Sequence, residues 1–82
     1  MNEELIQAIA DALAGDWDKA HKAVQNIENE TAYWIHAVLH KIEGDENNSR
    51  YWYSRAGKME HVGMDSTAEL QLIRQGLSNQ AK

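Results

Sequence analysis

Residues 34–57 read WIHAVLHKIEGDENNSRYWYSRAG, and this stretch decides the fold. On a wheel of about 100° per residue, Trp34, Ile35, Val38, Leu39 and Ile42 gather on one side, and Tyr33, His36, Ala37, His40 and Glu43 gather on the other. A helix apolar or aromatic on both sides packs between neighbours. The pattern therefore predicts a central helix over about 30–43. Gly44 ends it and Asp45 caps the next helix, which runs to about Ala56 with Gly57 as its stop. Ser49, Trp52, Tyr53 and Ala56 share a face of that helix.

Working outward, Gly44-Asp45 has a counterpart in Gly15-Asp16, a period of 29. The same shift pairs Leu5 with Trp34, Ile6 with Ile35, Ala8 with Ala37, Ile9 with Val38 and Leu13 with Ile42. Beyond the turn it pairs Ala20 with Ser49, Val24 with Tyr53 and Ile27 with Ala56. Each unit reads as helix, Gly-Asp turn, helix. The first helix carries Leu5, Ile6, Ile9, Ala10 and Leu13 as a broad stripe, with Glu3 and Glu4 in its first turn. The second carries Trp17, Ala20, Val24 and Ile27 as a narrow seam. A last helix follows a loop around Gly63: Ser66-Thr67-Ala68-Glu69 reads as a capping box, and Leu70, Ile73 and Leu77 line one side. Gly76 weakens it late, so fraying is expected over 78–82. The expectation is one all-α domain over 1–82 with about five short helices: hairpin 1 at about 2–28, hairpin 2 at about 30–57 and a capping helix at about 65–80.

Composition agrees. The 82 residues contain no proline and no cysteine, which favours helices and excludes a disulfide framework or a thiolate metal site. No apolar run approaches the roughly 20 residues that span a bilayer, and Asn2, Glu3 and Glu4 stand where a signal peptide has its basic region. A cytoplasmic protein without a membrane partner is expected. The net charge of −5 argues against nucleic acid as a general partner. Residues 50–62 nonetheless carry Arg50, Arg55 and Lys58 against Glu60, a local +2 that suits an anionic ligand or an acidic partner.

The two units resemble the tetratricopeptide repeat, whose second helix carries small, large and small residues at i, i+4 and i+7. Ser49, Tyr53 and Ala56 match, as do Ala20, Val24 and Ile27 with a larger last member. The period of 29 is shorter than that family's, which is about 34, and no proline closes either unit. The quoted run also resembles a group of short bacterial proteins with a W-[IL]-H-A-x-L-H-x-x-E-G-D core followed by Y-W-Y-x-R-A-G. That likeness implies a fold and not an activity.

Two constellations are candidate sites. His36 and His40 at i, i+4 can direct both imidazoles to one point, with Glu43 one turn further on. Further ligands would come from His61, Glu60 or Glu46, and packing against the fourth helix explains both histidines without a metal; none is expected. The second is Arg50, Tyr51, Trp52, Tyr53, Arg55 and Lys58, where Trp52 and Tyr53 fit the core face and Tyr51 points outward with Arg55 and Lys58. Ser49, Ser54 and Ser66 lie outside any nucleophile-elbow context, so no catalytic residue and no cofactor is assigned. The expected function is a non-catalytic module for a protein or peptide partner, with a homodimer as one form of that partnership. The alternative is a small-ligand or metal-binding protein with a cleft around His36, His40, Glu43, Tyr51 and Arg55.

Overall fold

A computed structural model describes residues 2–80. Among them the chain is all-helical: α1 (Asn2–Leu13), α2 (Trp17–Val24), α3 (Glu30–Glu43), α4 (Glu46–Ala56) and α5 (Ser66–Gln80), with a 3₁₀ turn at Met59–His61 before α5. None of these helices is long and apolar enough to cross a membrane.

The Gly-Asp turns explain how the helices reverse. Gly15 and Gly44 adopt φ of +89° and +87°, a region that only glycine enters without strain. Around each, the glycine N–H bonds three residues back (Gly15 to Ala12 O, Gly44 to Lys41 O) and the aspartate N–H bonds five back (Asp16 to Asp11 O, Asp45 to His40 O). This double bond pattern satisfies the last carbonyls of the helix. Asp16 and Asp45 then cap the following helices by accepting from the N–H of Lys19 and Asn48, both at 3.3 Å. The two turns are conformational copies, with Asp16 at φ −91°, ψ 73° and Asp45 at φ −91°, ψ 81°.

α1 packs on α2, α3 packs on α4, and α3 also touches α1, α2 and α5. Its central position follows from its sequence, because residues 35–40 are buried on every side. Ile35, Val38 and Leu39 join Leu5, Ile9, Val24, Tyr53, Leu70, Ile73 and Leu77 in one core, and Ala8, Ala20, Ala32 and Ala37 are fully buried where helices approach closely. Each large aliphatic contributes about 1.5–3 kcal/mol by leaving water. Ile42 departs from the expected stripe and is 46% exposed, next to the C-terminal end of α3.

α5 lies across α1 and α3 rather than stacking mainly on α4. Its start also differs from the sequence expectation. Asp65, not Ser66, is the N-cap residue, accepting from the Ala68 N–H at 3.0 Å. Glu69 therefore does not reach back to a cap. It turns into the core, fully buried, and accepts from Trp34 Nε1 (2.7 Å), from the Tyr53 hydroxyl (2.8 and 2.7 Å) and from Lys41 Nζ (2.7 Å). Lys41 Nζ also donates to the carbonyls of His61, Val62 and Met64, which pins the loop before α5. A buried carboxylate is tolerated only when its oxygens are occupied in this way. The helix continues through Gly76 to Gln80, past the expected onset of fraying; Ala81 and Lys82 lie outside the described residues.

Candidate functional site: a histidine cluster behind an aromatic and guanidinium face

α2 and α4 both pack on α3, and side chains from all three meet. His36 and His40 project from α3 one turn apart and are 6% and 8% exposed. They do not pack on α4 alone. His21 arrives from α2, and its Nε2 lies 3.0 Å from His36 Nε2, with the two rings perpendicular. One nitrogen from each of His21, His36 and His40 lies within 4.8 Å of the other two. His40 Nδ1 is 2.6 Å from Glu43 Oε2, so the carboxylate fixes that ring.

Indoles close the cluster on two sides. Trp17 stacks on His21 with centroids 4.7 Å apart, and its Nε1 donates to Leu39 O at 2.6 Å. Trp52 stacks on His36 at 4.0 Å. Burial chiefly, and then the neighbouring imidazoles His21 and His40, hold His36 down to about 4. His21 is lowered first by burial and then by His40, with Glu43 and Asp18 opposing. The lowering favours the neutral form of both rings, and in the Nε2–Nε2 contact one ring then donates and the other accepts. His40, Glu43 and Asp45 form a second convergent group, but both Asp45 oxygens already serve Asn48.

The face outside Trp52 belongs to Arg55. Its guanidinium lies 4.7 Å from the Tyr33 ring, 5.4 Å from Trp52 and 5.8 Å from Tyr51. Nη1 donates to the Tyr51 hydroxyl at 3.1 Å and Nη2 to that of Tyr33 at 3.5 Å. The Tyr51 hydroxyl, first of all, raises the Arg55 pKa above its ordinary value. Among the described residues, no carboxylate lies within ion-pair distance of Arg55.

The structure thus brings His36, His40 and Glu43 together, and brings Tyr51 and Arg55 together, with Trp52 joining the two groups. Lys58 is not among them. Gly57 turns the chain at φ +69°, and Lys58 lies instead over Trp34 at 4.8 Å, beside α5. His61 and Glu60 are also elsewhere: His61 stacks on Trp34. The residues that sequence reasoning missed are His21 and Tyr33. Their signals were local: His21 follows Trp17 by one turn and lies just off the apolar seam, and Tyr33 faces Trp52 across the hairpin at 5.5 Å.

No family model matches this chain, and no curated protein or solved structure does so significantly.

Proposed function

We propose that this protein is a non-catalytic interaction module, built from two tetratricopeptide-like hairpins, that binds an acidic segment of a protein partner on the face of Tyr33, Tyr51, Trp52 and Arg55. The observation that carries this reading is the state of Arg55. Its guanidinium carbon lies 4.7–5.8 Å from the centroids of three aromatic rings and its Nη atoms donate to two tyrosine hydroxyls, yet among the described residues no carboxylate lies within ion-pair distance of it. Stacking fixes the side chain before a ligand arrives, which reduces the entropy lost on binding. A fork of N–H donors in that setting fits a carboxylate with two parallel bonds. Tyr51, 52% exposed, supplies the adaptable aromatic rim common at binding hot spots. The local +2 over residues 50–62 would steer an acidic segment toward this face despite the overall charge of −5. The cytoplasm is the compartment this reading assumes.

α5 supports the choice of face. It covers α1 and α3, which leaves the side of α2 and α4 for a partner. The test is fluorescence anisotropy with a labelled oligoglutamate peptide. Binding should weaken as salt rises, and Arg55→Gln should weaken it about tenfold or more. Arg74→Gln on α5 should not. Equal binding by wild type and Arg55→Gln would overturn the assignment.

A further inference from the structure

We propose that His21, His36 and His40 form a three-imidazole site for a divalent late transition-metal ion, zinc foremost. The proposal is independent of the binding face, since it needs neither Arg55 nor Tyr51.

The orientation of the rings carries it. Aromatic packing joins ring faces or sets an edge on a face, but does not by itself bring two ring nitrogens to 3.0 Å. Here one face of His21 is taken by Trp17, the faces of His36 stack on Trp52 and, at 4.8 Å, on His40, and the Nε2 atoms of His21 and His36 turn toward one another. In tetrahedral zinc sites Zn–N is about 2.0–2.1 Å, which sets neighbouring nitrogens about 3.3 Å apart. His21 and His36 share a hydrogen bond between their Nε2 atoms at 3.0 Å, and an ion replacing that proton would find the two nitrogens already close to this spacing. The three contributing nitrogens lie within 4.8 Å of one another, and reaching the same spacing takes at most about 1.5 Å of closure. The i, i+4 placement of His36 and His40 on α3 makes such a movement a side-chain rotation rather than a backbone shift.

The surroundings have the features of a metal site's outer shell. Glu43 holds Nδ1 of His40, leaving Nε2 as the nitrogen available to the ion. Trp17 and Trp52 give the cluster an apolar wall. An all-imidazole set selects zinc, nickel, copper or cobalt over magnesium and calcium, which prefer oxygen. Three protein nitrogens leave the fourth tetrahedral position to water or to an oxygen of an incoming ligand. The ion would also clamp α2 to α3, since His21 is the one member contributed by the first hairpin.

The test is calorimetric titration of chelator-treated protein with Zn²⁺, and with Mg²⁺ as the oxygen-preferring control. The expected result is one Zn²⁺ per chain with micromolar or tighter affinity, and no Mg²⁺ binding. His21→Gln and His36→Gln should abolish the isotherm, and Glu43→Gln should weaken it about 10- to 100-fold. His61→Gln, whose ring stacks on Trp34 outside the cluster, should leave it intact. To separate loss of the site from loss of the fold in a cluster variant, the wild-type chain is also titrated by NMR. Zn²⁺ should move the ring resonances of His21, His36 and His40 together and leave those of His61. No isotherm, an isotherm unchanged by His21→Gln, or ring shifts confined to His61 would each overturn the site.

Discussion

The Trp52 indole lies flat on the His36 imidazole, with centroids 4.0 Å apart and planes 12° from parallel. The other side of the account hangs on the same indole, because the Arg55 guanidinium sits 5.4 Å from its centroid. One residue of α4 thus separates the buried His36 from a cationic surface. Trp52→Ala should therefore do two things. It should destabilise the protein by about 3 kcal/mol through lost burial, and it should raise the proton affinity of His36 by admitting water. Denaturant melts and histidine NMR titrations read the two effects separately, and an unmoved His36 titration would contradict the second.

The depressed titration of His36 makes metal-free stability depend on pH. The ring binds its proton at about 4 in the fold and near its ordinary 6.5 when unfolded. Between those values the unfolded chain holds more protons, so stability falls as pH drops from 6.5 toward 4 and is flat above 6.5 for this group. Thermal melts in chelator should show this decline, and His36→Gln should make it shallower. An equally steep decline in the variant would mean that other groups carry it.

Glu69 binds α5 to the rest of the fold. Glu69→Gln removes the charge that faces Lys41 and disturbs the bonds from Trp34 and Tyr53. Breaking a buried ion pair on one side is expected to destabilise by about 3 kcal/mol. In a small domain each kcal/mol shifts Tm by roughly 4–8 °C. A loss below about 1 kcal/mol would show the network to be peripheral.

Two glycines should respond oppositely to alanine. Gly44→Ala places a side chain at φ +87° and should destabilise by about 1–2 kcal/mol. Gly76 lies inside α5 with nothing near an added methyl group, so Gly76→Ala should stabilise by about 0.5–1 kcal/mol. Urea melts of both variants check the pair of signs.

These contrasts mark what the sequence reveals and what it does not. Local patterns were legible: α3 spans Glu30–Glu43 as its wheel predicts, and Asp16 and Asp45 cap the helices that follow each glycine. Contacts distant in the chain were not. Glu69 meets Tyr53, Lys41 and Trp34 across 16, 28 and 35 residues, and nothing in Ser66-Thr67-Ala68-Glu69 distinguishes a core carboxylate from a capping one. His21 was hidden for the same reason. It joins His36 across 15 residues and two helices, and only the packing of α2 on α3 reveals it. Lys58 was misplaced because helical spacing was carried past Gly57, where the chain leaves α4.

The central claim is that the Arg55 face binds an acidic segment, and the most direct measurement is an NMR titration of the ¹⁵N-labelled chain with an oligoglutamate peptide. The account predicts saturable shifts at the backbone amides of Tyr33, Tyr51, Trp52 and Arg55 and at the Arg55 side chain, all lost in a folded Arg55→Gln variant. Shifts that persist in that variant, that centre on another face, or that fail to appear would contradict it.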